Sequence, residues 1–349
     1  MSRTFAILAA VALAAAPSAH AQPQPAGPPS VDQTLLPYAS AADSVKLPDG
    51  RMLHFVCMGK GSPTVILTPG LGNAAFEAWS KVQPDMARIT RVCSWDRPGW
   101  GLSDGTATSL TVETTTADLE AALAAGSIPG PYVMVGHSAG SYESLLYTDR
   151  HPDKVIGMVL VDPSVPGQDA LVREAMPSQS ATSDPAKAPL VLILSKCAEE
   201  IRAGTAKAGG PDPDNCFNFP PSWPAALRQA MAAKVGNPLQ YKTMVSFLTS
   251  ANANSRAALN PARNYRDMPL VVLSATVQPD PPGLSDVQKA ETARFNTVFG
   301  QKHDELAALS SRGVNARVPG ASHFIQLTKP QAVLDAVAEV VREARAKNR

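Results

Sequence analysis

The chain has 349 residues and a formal net charge of +1, with acidic and basic side chains almost balanced. That balance, and the lack of any long Lys/Arg run, excludes partners held mainly by charge, such as nucleic acid or an anionic membrane surface. The length allows one large domain or two modest ones, with enough apolar residues for a sizeable core.

In chain order, the N-terminus reads as a secretory signal over residues 1–21. Arg3 supplies the positive charge. Phe5 to Ala16 is apolar but too short to span a bilayer, and Ala19-His20-Ala21 is a small-x-small cleavage site. No other segment is long and apolar enough to be an integral membrane span in the mature chain. Residues 22–42, Pro- and Gln-rich at their start, read as a disordered linker.

Residues 43–46 and 51–58 look like strands joined by the turn Pro48-Asp49-Gly50. Thr64 to Leu67 is a short, fully apolar strand of the buried kind. The Gly-rich loop Pro69-Gly70-Leu71-Gly72-Asn73 follows, then a helix from about Ala75 to Met86. Strand 91–95 runs into Asp96-Arg97-Pro98-Gly99-Trp100-Gly101-Leu102-Ser103. Thr111 is placed to cap a helix that stops at Gly126. Tyr132 to Val135 is a strand, Gly136-His137-Ser138-Ala139-Gly140 a sharp turn, and Ser141 onward a helix. Val155 to Val161 is a sixth strand, closed by Asp162-Pro163.

Residues 166–265 break this alternation and hold short helices at 224–235 and 239–251. It resumes with strand 269–273, a charged helix at 285–309, strand 314–318 and a last helix from Pro330. Strands alternating with helices imply an α/β fold, a mostly parallel sheet with both faces covered. The block at 166–265 leaves that sheet and returns to it, as a helical lid would. Four cysteines, Cys57, Cys93, Cys197 and Cys216, suggest disulfides in an exported chain, and three pairings are open.

Strand, turn and helix around Gly136 to Gly140 form the context of a nucleophile elbow, in which Ser138 sits on strained backbone with its hydroxyl projecting. A serine hydroxyl needs a base, and the base needs an orienting carboxylate. Of six histidines, His20 lies in the signal, His54 is mid-strand, His151 closes a helix, and His303 reads as a solvated helix face. His137 adjoins the nucleophile in the chain and so points away from it. His323 remains, on a loop at a strand's carboxyl end, where catalytic groups gather in open parallel sheets.

Together, Pro69-Gly70-Leu71-Gly72, the Asp96 to Ser103 run, Gly136 to Gly140 and Gly320-Ala321-Ser322-His323-Phe324 resemble, in order, the motifs of the α/β-hydrolase fold superfamily, lidded serine esterase type. The resemblance implies an eight-stranded, mostly parallel sheet flanked by helices, with the lid after the sixth strand. The core would be 43–165 plus 266–349 and the lid 166–265. It implies that Ser138 attacks, His323 is the base, and the Leu71 and Ala139 N–H groups form the oxyanion hole. The acid is Asp162 or Asp280, with Asp162 favoured because Asp280 lies well beyond its strand. Asp96 and Arg97 read as structural.

The same resemblance puts Cys57 and Cys93 on neighbouring strands, leaving Cys197 to pair with Cys216. The implied function is ester hydrolysis of a small-molecule substrate through an acyl-enzyme, needing no metal or cofactor. Alternatives are an aminopeptidase, a lactonase, a C–C bond hydrolase, a cofactor-free lyase or haloperoxidase, or a non-catalytic binding protein. Phe217, Phe219, Trp223, Met244 and Phe247 would either line an apolar pocket or simply pack the lid.

Overall fold

The structure, a computed structural model, describes residues 30–125, 128–181, 184–277 and 283–347. The expected signal and Asp280 lie outside them. The strands are β1 (Val45–Lys46), β2 (Met52–Leu53), β3 (Phe55–Met58), β4 (Thr64–Thr68), β5 (Val92–Trp95), β6 (Tyr132–His137), β7 (Val155–Val161), β8 (Leu270–Ala275) and β9 (Gly313–Val318). The main sheet has the order β3-β5-β4-β6-β7-β8-β9, and only β3 runs antiparallel to its neighbour.

Among the described residues the sheet therefore has seven strands rather than eight. β1 pairs only with β2, in a separate ribbon. The expected strand 51–58 breaks at His54, whose N–H donates to Ser103 Oγ and whose carbonyl accepts from Asp96 N, so the backbone there bonds to a loop.

Period-two alternation sorts the buried strands into two cores. Ile66, Met134, Met158, Leu160 and Val272 face one side, under α3 (Val112–Ala124), α4 (Gly140–Arg150) and α11 (Asp286–Ala307). Val65, Leu67, Val133, Val135, Val159 and Val161 face the other, under α1 (Ala75–Trp79), α2 (Gln83–Met86) and α13 (Pro330–Lys347). The helix expected at 75–86 is split into α1 and α2, with Pro84 starting the second piece because proline has no N–H to continue a helix. A short helix, α12 (Ile325–Thr328), precedes α13. Thr111 caps α3 as expected, accepting from Thr114 N.

Between β7 and β8 the described residues form α5 (Gln168–Ala175), α6 (Pro177–Ser180), α7 (Pro189–Ala203), α8 (Ala225–Val235), α9 (Pro238–Thr249) and α10 (Ala251–Ala257). The insertion is tied to the loop after β5. Lys234 Nζ meets Asp104 at 2.5 Å, Gln240 Nε2 donates to Ser103 O at 2.6 Å, and Thr106 N donates to Thr243 Oγ1 at 2.8 Å. The Cys197–Cys216 disulfide pins α7 to the loop before α8, and Cys57–Cys93 joins directly opposed residues of β3 and β5.

Two readings need correction. Residues 33–39 are not linker but a 3₁₀ helix. Its Leu35 and Tyr38 are buried against Phe76, Leu227 and Met231, and Tyr38 Oη donates to Gln83 Oε1 at 2.7 Å, so the burial gained offsets the cost of ordering this stretch. His303 is not solvated. It is buried under the sheet, with Nε2 donating to Pro163 O at 2.9 Å and Nδ1 2.7 Å from Ser274 Oγ.

Buried His54 joins the N-terminal segment to the core. Nδ1 lies 2.6 Å from Asp96 Oδ2 and Nε2 lies 2.9 Å from Ser40 O. Both partners present acceptors, so both ring nitrogens are placed to donate, which favours the imidazolium. Burial alone would lower its pKa, but the hydrogen bond and charge of Asp96 together with Ser40 O outweigh it, and the pKa is raised above 6.5. The folded state then binds the proton more tightly than the unfolded chain. This stabilisation is fully present below the unfolded value and is lost as pH rises through the folded one. Thermal melts are expected to show falling stability from pH 6 upward, with a flatter slope in His54→Gln; an unchanged slope in the variant would refute the assignment.

Candidate active site

Register brings the motif loops together. Thr68 pairs with Gly136, His137 with Val161, Val161 with Leu273, and Ala275 with Val318. The loops holding Gly70 and Leu71, Ser138, Asp162 and His323 therefore all leave the carboxyl ends of neighbouring parallel strands. From β4 the chain goes outward to β5, then crosses back to β6. These loops meet where strand order reverses, which is where ligands bind in open α/β sheets.

Ser138 has φ of +50° although it is not glycine. The strain is held by backbone bonds, with Ser138 N donating to Val161 O and Ser138 O accepting from Ser141 N and Ser164 N. Two glycines make the turn possible. A Cβ on Gly136 would stand 2.5 Å from Gly140 O, and one on Gly140 would stand 2.5 Å from Thr68 O and 2.6 Å from Pro69 O. These are main-chain atoms that cannot swing aside. Gly140→Ala is expected to cost about 1–3 kcal/mol, as overpacked sites do, read as a lower urea midpoint; an unshifted midpoint would show that strand and helix can part freely here.

Asp162 is also left-handed, at φ +41°, directly after β7. Its N–H donates to Leu273 O at 2.7 Å, and Oδ1 accepts from Ala275 N at 2.8 Å. That leaves Oδ2, which accepts from His323 Nδ1 at 2.6 Å. Asp162 is buried, whereas the His323 side chain is 44% exposed. With Nδ1–H bound to the carboxylate, Nε2 is the ring nitrogen able to take a proton. Of the two acids the sequence left open, Asp162 meets His323, and Asp280 lies outside the described residues. Leu71 lies in the loop after β4 and is 37% exposed, while Ala139 caps the N-terminus of α4, where main-chain N–H groups favour negative charge.

One residue set aside on sequence grounds belongs to this centre. His137 is buried, its Nε2 donates to the His323 main-chain carbonyl at 3.0 Å, and its ring lies 4.8 Å from that of His323. Burial first, and the nearby His323 charge second, push its pKa down to about 3, so it stays neutral. Its Nδ1 has no hydrogen-bond partner among the described residues. No local pattern could reveal this role, since it depends on a loop 186 residues away.

Arg97 and Glu143 form a buried, two-pronged ion pair, with Nε–Oε1 of 2.5 Å and Nη2–Oε2 of 2.9 Å. The large cavity lined by Asp149, Arg263, Tyr265 and Asp267, about 640 Å³, lies at the amino ends of β7 and β8, away from this centre.

Comparison with known proteins agrees with the architecture. Residues 63–188 match the alpha/beta hydrolase fold family. An uncharacterized protein of Schizosaccharomyces pombe is 41% identical over 88 residues, covering 25% of this chain and 16% of its own length. The uncharacterized protein YqjL of Bacillus subtilis is 29% identical over 107 residues, covering 31% of this chain and 42% of its own. The matches thus span less than half the length of these relatives. Among solved structures, Cfl2 of Burkholderia cenocepacia has a TM-score of 0.55 at 20% identity, covering 85% of this chain and 94% of its own. A thermophilic esterase from Thermogutta terrifontis has a TM-score of 0.55 at 16% identity, covering 86% and 98%. At such identities the likeness concerns fold alone. With the sheet order, the elbow and the matched segment in agreement, the chain has the α/β-hydrolase fold, and residues 63–188 match that family.

Proposed function

We propose that the chain is an exported serine hydrolase that cleaves carboxylic esters of small or apolar substrates through an acyl-enzyme. The observation that carries this reading is the buried Asp162 carboxylate accepting from His323 Nδ1, at the same end of the sheet as the strained Ser138 turn.

In this mechanism His323 Nε2 takes the Ser138 proton as Oγ attacks the ester carbonyl. Asp162 keeps the ring in the required tautomer and stabilises the imidazolium. The Leu71 and Ala139 N–H groups hold the oxyanion. As the tetrahedral species collapses, His323 returns the proton to the leaving alcohol. A water then attacks the acyl-enzyme with His323 again as base, and Ser138 is released. The insertion after β7 serves as the lid, with Phe247 and Met244 on its inner packing surface. Two disulfides fit passage through an oxidising compartment.

The test combines fluorophosphonate labelling with a panel of esters, lactones, amides and thioesters. Labelling and preferential ester turnover are expected. A chain that neither labels nor turns over any panel member refutes the reading, and preference for another acyl class reassigns the substrate.

A further inference from the structure

The buried Arg97–Glu143 pair uses only two of the five guanidinium donors of Arg97. A third, Nη1, donates to Gly70 O at 3.1 Å. Glu143 is held in turn by the Thr115 hydroxyl at 2.9 Å. Arg97 and Glu143 are both essentially without solvent exposure. A buried ion pair is a weak source of stability, so the geometry it imposes is its informative property.

That geometry bears on one peptide plane. In a trans peptide the carbonyl of one residue and the N–H of the next point in opposite directions. A guanidinium clamped on Gly70 O therefore turns the Leu71 N–H away from Arg97. The other side of Gly70 is packed against the elbow, where an added Cβ would stand 2.8 Å from His137 Nδ1 and 3.2 Å from Ser138 Cβ. The plane is gripped on one edge by Arg97 and seated on its other side against the nucleophile turn.

We propose that Arg97 is a positioning residue for the oxyanion hole, aiming the Leu71 N–H by holding the Gly70 carbonyl. This rests on the roles given above to Ser138 and Leu71. The clamp also reaches the insertion. The Phe247 ring on α9 lies 5.1 Å from the Arg97 guanidinium carbon and packs edge-on against Trp100. The seating of α9 thus bears on the donor that stabilises the transition state.

The test compares the wild-type chain with Arg97→Lys, which keeps the charge but cannot both grip Glu143 with two prongs and reach Gly70 O. An ester and its thionoester are assayed side by side, because sulfur accepts weakly from the hole's N–H groups and comparing the preference between wild type and variant cancels the intrinsic difference in reactivity. Arg97→Lys is expected to lower ester kcat about 10²-fold, the loss seen when one oxyanion donor is removed. KM should change by no more than about twofold, and the ester-to-thionoester preference should shrink about tenfold.

A fall in kcat with the preference intact would make Arg97 merely structural and overturn the proposal, as would unchanged kcat. If Arg97→Lys does not fold, Glu143→Gln, which keeps the volume and leaves Arg97 in place, enters the same assays under the same criteria. Failure of the underlying reading is distinguishable, because wild-type protein would then neither label with fluorophosphonate nor hydrolyse the ester.

Discussion

Ser138→Ala is expected to lower ester turnover by about 10⁴- to 10⁶-fold, to the level that binding and the oxyanion donors sustain alone, and to abolish fluorophosphonate labelling. The strain at Ser138 should survive the change, because it is held by main-chain bonds to Val161, Ser141 and Ser164 that alanine also makes. Its thermal midpoint should therefore remain near that of the wild type, and the loss will be chemical rather than structural. Retained labelling would show that another nucleophile does the work.

Asp162→Asn is expected to lower kcat about 10⁴-fold with little change in KM. The reason is a count of donors. Ala275 N and His323 Nδ1 both direct N–H groups at this side chain, and a carboxylate accepts both. An amide has one oxygen, so one donor must face an NH₂ group. The backbone N–H cannot change, whereas His323 can move its proton to Nε2, which removes the base that Ser138 needs. Asp280→Asn made in parallel should stay within about twofold of wild type. The opposite pattern, with Asp280→Asn inactive and Asp162→Asn active, would overturn the assignment of the acid.

What the chain order made legible was local. Gly136 and Gly140 flank Ser138 at a spacing set by the steric needs of a tight strand-to-helix turn, and period-two apolar runs mark the strands wherever they lie. His323 stood out as the candidate base by its place after a strand. Even the cysteine pairing followed once strand order was inferred by resemblance, because Cys57 and Cys93 stand opposite each other across β3 and β5.

Other features depend on approaches between residues far apart in the chain, and local patterning carries no signal for them. Asp162 meets His323 because β7 and β9 flank β8 in the sheet. Arg97 meets the Gly70 carbonyl across 27 residues, and His137 meets the His323 carbonyl across 186. His303 looked solvated because its helix is charged, yet it turns beneath the sheet to Pro163. Residues 33–39 looked like linker because Leu35 and Tyr38 find their partners far along the chain, on α1, α2 and α8 among others. The sequence by itself determined the elbow, the alternation of strand and helix and the two residues expected to do the chemistry. Tertiary structure brought the Asp162 carboxylate to His323 and set which side chains touch its loop and the Gly70 carbonyl, because hydrogen-bond partners are set by proximity in space.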